Sequence, residues 1–311
     1  MFEPKLKKIS KDVFKNKNLR NYFILTHKKH HREMYFQSGD KKALNFAKPK
    51  FNSFKKRIIF FLLKLGVLQP ILKQIKLSQD IGQLIFVGGQ IKGFDLKDKV
   101  VNSFHHIQGI PENFIKDKEV QLKLGKQGFA PKIINIDKQN NFSQEELFFP
   151  FLGNSIDNFN ELLEFYDSFS YQKVKTTLLL KKIKNYLIKN KINESLFNQA
   201  IEEIKKTNYF LFTKIHGDFA KEQCLINNHK IFFVDWNLKK GLVTEDLVNY
   251  FRFEKDYFNT KEFKIILKKY PLHVLKNLEK YLMLTELLRI TQGIHDFKLS
   301  KKRINNLLFQ K

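Results

Sequence analysis

The chain has 311 residues and carries 57 Lys and Arg against 31 Asp and Glu, a formal net charge of +26. Apolar residues at 42% and aromatic residues at 14% exclude wholesale disorder, and the length accommodates one large domain or two lobes with a real hydrophobic core. The single cysteine, Cys224, excludes an internal disulfide, and no run of eighteen uncharged apolar residues is present to span a bilayer.

The opening segment MFEPKLKKISKDVFKNK has no apolar core and no small-residue cleavage site, which argues against a secretory leader and predicts a cytoplasmic protein. The charge suggests nucleic acid or an anionic membrane surface, but Phe, Ile, Lys and Asn are abundant together, and AT-rich codons would raise all four. The excess is uneven. Residues 1–79 hold 20 Lys and Arg and 4 Asp and Glu, and so set themselves apart as a basic N-terminal extension.

Within that extension, Asn21–Leu25 and Glu33–Phe36 are short β-rich runs joined by a polar, His-rich stretch, the pattern of a hairpin. His27, His30 and His31 have no Cys or carboxylate set beside them and read as a basic hairpin tip rather than a metal site. Lys55 to Lys76 reads as one amphipathic helix, with Ile58, Phe61, Leu65, Leu68, Leu72 and Ile75 on a stripe and a break or kink at Pro70. The stripe is expected to pack on the main domain; the competing reading is a basic helix lying on an anionic membrane.

From Gln83 the texture becomes extended. Leu84–Val87 runs into Gly88-Gly89, and Gln90–Leu96 and Lys99–Phe104 follow across a turn at Lys97-Asp98. Pro111 opens a helix to about Leu124, and Lys132–Asp137 with Glu146–Phe149 make a second strand pair. Beyond Gly153 the periodicity is mainly helical, over 156–167, 172–190, 194–206 and a stretch containing Val274–Leu288, with a strand at Tyr209–Thr213.

Chemistry concentrates in 215–251. Asp218 follows His216-Gly217 in a loop. Asp235 ends the apolar run Ile231–Val234, which pairs with Cys224–Ile226 across Asn227-Asn228-His229-Lys230. Asp246 opens an apolar helix. A loop carboxylate, a side-chain amide five residues on at Gln223, and a carboxylate at the end of a hairpin are the parts phosphoryl transfer requires. One group deprotonates the attacking hydroxyl, and the other two hold Mg²⁺ on the phosphates.

The segments His216-Gly217-Asp218-Phe219, Asp235-Trp236-Asn237 and Asp246-Leu247 resemble, in order and spacing, the aminoglycoside phosphotransferase and choline kinase family, in a divergent branch associated with bacterial surface polysaccharides. The resemblance implies an α+β, bilobal protein-kinase-like fold with a small antiparallel-sheet N-lobe and a larger, mainly helical C-lobe. The corresponding parts are the extension at 1–79, a nucleotide-binding N-lobe at 80–152 and a C-lobe at 153–311. It implies ATP (or another NTP) and Mg²⁺ as cofactors, and a small-molecule or glycan acceptor as partner.

By resemblance, Asp218 is the catalytic base and His216 braces its loop. Gln223 and Asp235 hold the metal, and Asp246 ties a helix to the loop backbone. In the N-lobe, Gly88, Gly89 and Lys99 face the nucleotide, and Glu119 occupies the place of the glutamate that pairs with a strand lysine. Glu146–Gly153 resembles the strand and hinge of the family. Three positions depart from the pattern: Gln223 stands where the family has Asn, Asn237 where it has an acid, and Asn102 near where it has its phosphate-binding lysine. They leave open a kinase-fold protein that binds without catalysis. Nucleic acid is the less favoured partner, and the extension at 1–79 is the part that would touch an anionic membrane, at its inner face.

Overall fold

The structure, a computed structural model, describes residues 2–27, 32–51, 53–88, 90–105, 111–150, 155–192, 194–220, 223–252, 254, 257–293 and 297–309. It is α+β and divides into two compact units, Met1–Phe149 and Pro150–Lys311. His30, His31, Gly89 and Gly153 lie outside the described residues, and His27 ends a strand.

The first unit contains α1 (Glu3–Asp12), β1 (Leu19–His27), β2 (Arg32–Gln37), α2 (Lys41–Ala47), α3 (Phe54–Lys64) and β3 (Gln74–Ser78). It continues with β4 (Leu84–Val87), β5 (Ile91–Asp95), β6 (Val100–Phe104), α4 (Pro111–Gln127), β7 (Ile133–Asp137) and β8 (Phe142–Glu146). All eight strands form one antiparallel sheet in the order β3-β1-β2-β4-β5-β6-β8-β7. The segment 1–79, set apart in the sequence by its charge, thus supplies three strands of the same sheet as β4–β8.

Strand alternation divides the apolar side chains between the two faces. Tyr22, Tyr35, Ile85, Ile91 and Phe104 pack with Leu6 and Ile9 of α1. Phe23, Phe36 and Leu84 pack with Leu44 of α2 and Leu63 of α3.

Two elements of this unit differ from the sequence reading. The helix expected over Lys55–Lys76 ends at Lys64, and Gln74–Ser78 is the edge strand β3. Gly66, at φ +78°, is the reason. The Val67 amide donates to the Leu62 carbonyl and the Gly66 amide to that of Leu63, a Schellman stop that glycine reaches at no steric cost. The second difference is the partner of β7, which is Phe142–Glu146 rather than Glu146–Phe149.

The second unit follows β9 (Phe149–Pro150), a two-residue strand at the boundary. Its elements are α5 (Ser155–Asp167), β10 (Gln172–Lys175), α6 (Thr176–Lys189), α7 (Ser195–Lys205), β11 (Tyr209–Ile215), β12 (Cys224–Asn227) and β13 (Lys230–Phe233). They continue with β14 (Lys239–Leu242), α8 (Glu245–Tyr250), α9 (Lys261–Leu267), α10 (Leu272–Lys276), α11 (Leu278–Thr291) and α12 (Phe297–Phe309). Residues 172–175 form a strand against β11 rather than the first turn of α6.

The residues of α11 from Tyr281 to Ile290 are all buried, so this helix is the axis of the unit. It carries Glu286, which accepts from the fully buried Arg303 at 3.0 Å and from Ser300 at 2.7 Å. Arg303 Nη2 also donates to the carbonyls of Phe251, Arg252 and Glu254, which fixes the chain just after α8. No helix among the described residues is long and apolar enough to cross a membrane.

Candidate active site

Strand β11 delivers His216 to the interior, where the ring is fully buried and stacked on Trp236 with centroids 4.5 Å apart. Nε2 lies 3.0 Å from the Val234 carbonyl, which can only accept, so Nε2 carries the proton and Nδ1 is bare. Gly217 follows at φ +91°, and a Cβ there would run into the carbonyl oxygen of Asn237; only glycine fits. The Asn237 amide donates to the His216 carbonyl at 3.0 Å, which holds the loop alongside residues 235–237.

Asp246, fully buried at the start of α8, clamps this loop. Its Oδ2 accepts from the His216 amide at 2.7 Å and from the Tyr166 hydroxyl at 2.8 Å, and its Oδ1 accepts from the Gly217 amide at 2.9 Å. The tie implied for Asp246 is therefore present atom by atom. Asp218, held by this loop, is half exposed and pairs with Arg252 at 3.2 Å. Arg252 sits on the segment that Arg303 fixes through its carbonyls. Two struts thus converge on Asp218: Asp246 holds the amides of the two residues before it, and the Glu286–Arg303 pair positions its cation.

Gln223 and Asp235 flank the hairpin β12–β13, one residue before β12 and two after β13. Asn228 and His229 both take positive φ, the turn that matches strand twist. The register Cys224↔Phe233 sets Gln223 opposite Val234, whose amide donates to the Gln223 carbonyl at 3.1 Å, with Asp235 next in chain. Gln223 Oε1 is buried and has no hydrogen-bond partner. An uncompensated buried carbonyl oxygen costs about 1–3 kcal/mol. Asp235 is held at φ +58°, a strained position for a residue with a Cβ. An amide oxygen and a carboxylate are the donor types that a hard cation takes. Among the described residues no group of three or more His, Cys, Asp or Glu forms a self-sufficient metal cage.

The first unit departs from the site residues expected there. Lys99 is exposed in the turn before β6 at φ +56°, with its carbonyl engaged by the Leu147 amide. Glu119 meets Lys138 at 2.7 Å on the surface rather than a strand lysine, because the inward positions of α4 are taken by Lys118 and Gln121. Gly88 has open space around its Cα. Asn102 is a buried latch: its amide donates to the carbonyls of Asp80 and Ile81, at 3.0 and 3.1 Å.

The buried ion pair of this unit is one the sequence did not announce. Lys118 of α4 meets Glu145 of β8 at 2.6 Å, and Ser103 and Gln121 also donate to that carboxylate. Burial opposes ionisation of Glu145, but Lys118 and Lys92, with the hydrogen bonds, outweigh it and hold the carboxyl below its ordinary range. Lys92 of β5 is the cross-strand partner of Ser103, on the same face of the sheet. Arg252, Lys118, Glu145 and Lys92 were all missed. Strand alternation offered a signal for Lys92 alone, since it shares a face with Phe94 and Leu96.

The buried groups of the second unit make a pH signature. Burial pushes His216 down to about 4, despite its hydrogen bond to Val234. The unfolded chain takes this proton near pH 6.5 and the folded one refuses it, so stability from neutral His216 is complete above that pH and is lost toward pH 4. Burial pushes Asp246 up to about 6 against its three donors. Its protonation favours the folded state as pH falls through 6, which opposes the His216 effect in the same window. His216→Gln removes one member, so its stability deficit against wild type should shrink by about 2 kcal/mol between pH 7 and pH 5 in urea melts. A deficit constant with pH would contradict the burial of a neutral imidazole.

No family model matches the chain, and no curated protein does. Among solved structures it is similar to choline kinase LicA from Streptococcus pneumoniae, at 15% identity over 71% of this chain and 89% of that one, with a TM-score of 0.44. It is also similar to an ethanolamine kinase from Plasmodium vivax, at 14% identity over 88% and 95%, with a TM-score of 0.43. A thermostable mutant of an aminoglycoside phosphotransferase is similar at 12% identity over 73% and 90%, with a TM-score of 0.44.

Proposed function

We infer that this chain is an ATP- and Mg²⁺-dependent phosphotransferase that moves the γ-phosphate to a hydroxyl of a small molecule, with a sugar or surface glycan as the acceptor class. The observation that carries this reading is the buried Gln223 Oε1 without a hydrogen-bond partner, on the hairpin that leads into Asp235 at positive φ, together with the Asp246 carboxylate that holds the His216 and Gly217 amides just before Asp218. ATP would bring the phosphoryl group and Mg²⁺ would offset its charge. Asp218 accepts the proton of the attacking hydroxyl, Arg252 orients that carboxylate, and Gln223 with Asp235 presents two oxygens to the cation. Within the first unit, Lys99 lies in a turn and Asn102 is spent on the Asp80 and Ile81 carbonyls.

The commitment of Asn102 to the backbone also favours a second reading, nucleotide binding without transfer. Incubation with γ-labelled ATP, Mg²⁺ and a panel of sugars and amino alcohols separates the two. Label in an acceptor supports transfer, nucleotide binding without label supports the second reading, and neither sinks both.

A further inference from the structure

Between Asp40 and Asp80 the chain has ten Lys or Arg and no Asp or Glu. The helix α3 lies in this stretch, and it is apolar on two faces. Leu63 is fully buried, and it packs with Phe60 in the core beside α2. At 100° per residue, Phe54, Ile58, Phe61 and Leu65 form a second stripe on the opposite side. Of the stripe that the sequence reading assigned to the main domain, Leu68, Leu72 and Ile75 do pack on the core, but Ile58, Phe61 and Leu65 do not: Ile58 is 45% exposed, Phe61 59% and Leu65 59%, with Phe54 beside them at 79%. Val67 and Ile71 extend the patch past the helix end, at 59% and 77% exposed. Half of the exposed large hydrophobic residues of the described chain thus fall between residues 54 and 71, a clustering that scattered surface residues do not produce.

The cations are arranged around this stripe. By the same geometry Lys55 flanks it on one side, and Arg57 and Lys64 flank it on the other; all three are exposed. A protein partner of ordinary composition would be met by an apolar stripe with a mixed-charge rim. Here the rim is of one sign, which matches a planar surface of anionic headgroups over an apolar interior. The helix ends in the Schellman stop at Gly66, and the exposed Val67 and Ile71 follow directly in the chain.

We propose that α3 and the turn after it are a membrane-docking surface. Phe54, Ile58, Phe61 and Leu65 enter the headgroup–acyl boundary of an anionic bilayer, and Lys55, Arg57 and Lys64 stay at the phosphate level. The inward face of α3 keeps its packing, so docking requires no unfolding of the unit.

Co-sedimentation with large unilamellar vesicles tests this. The full chain should pellet with equimolar phosphatidylcholine and phosphatidylglycerol at low salt, and should not pellet with phosphatidylcholine alone. Ile58→Asp/Phe61→Asp changes only exposed side chains and should weaken binding at least about tenfold with an unchanged thermal midpoint. Arg57→Glu/Lys64→Glu should lose the salt-sensitive part. Ile188→Asp, an exposed apolar position in the second unit, should leave binding intact. The proposal is overturned if the wild type ignores anionic vesicles, or if the Ile58→Asp/Phe61→Asp variant binds as well as wild type, which would mean charge alone is responsible. It is equally overturned if the wild type is a dimer that this double variant converts to monomer, because the patch would then be covered by a second copy.

Discussion

Asp218→Asn is expected to lower phosphate transfer by about 10²–10⁴-fold while leaving nucleotide binding and the fold intact. Asparagine keeps the shape and cannot take the hydroxyl proton. The stability cost should be small, since Asp218 is 53% exposed and an ion pair of that kind contributes about 1 kcal/mol or less. The effect should fall on kcat, with little change in KM for ATP, because the group acts on the acceptor. If Arg252 orients Asp218 rather than binding the acceptor, Arg252→Lys should retain part of the activity and Arg252→Ala should lose more. Turnover by Asp218→Asn at the wild-type rate would remove Asp218 from the chemistry.

Asp246→Ala is expected to be the most damaging single change to the second unit. It strips the acceptor from three buried donors, the His216 and Gly217 amides and the Tyr166 hydroxyl, at a cost of about 3–5 kcal/mol. For a unit of this size that lowers the thermal midpoint by roughly 10 °C. Asp246→Asn is not conservative here. Its one carbonyl oxygen can replace Oδ2, but its NH₂ then faces the Gly217 amide, donor against donor. Calorimetric melts of both variants should therefore fall below wild type, with alanine lowest. Phosphate transfer should fall with them even at temperatures where the unit is folded, because the Asp246 carboxylate fixes the two amides that immediately precede Asp218.

Legibility of these features in the sequence followed the range of the forces involved. The hairpin β12–β13 was readable because its turn signal, Asn227 to Lys230, is local and both central residues take the positive φ it demands. The end of α3 was also local, but the break was assigned to Pro70 when Gly66 made it. The facing of α3 was not readable: a helix apolar on two sides offers two stripes, and only the packing of Leu63 decides which is inside. The pair Lys118–Glu145 joins a helix to a strand 27 residues on, and nothing short of the fold aligns them. Arg252 likewise reaches Asp218 through the carbonyl grip of Arg303, from α12. Asp246 was anticipated because the resemblance of 215–251 carried it; composition and periodicity alone would have left it as a helix start.

The central claim is that Gln223 and Asp235 present oxygens to a cation that carries a nucleotide phosphate. Isothermal titration of the full chain with ATP, with and without Mg²⁺, tests it most directly. The account predicts binding that Mg²⁺ strengthens, with the Mg²⁺-dependent part abolished in Asp235→Ala and weakened in Gln223→Ala. ATP binding of equal strength with and without Mg²⁺, or unchanged in both variants, would contradict it.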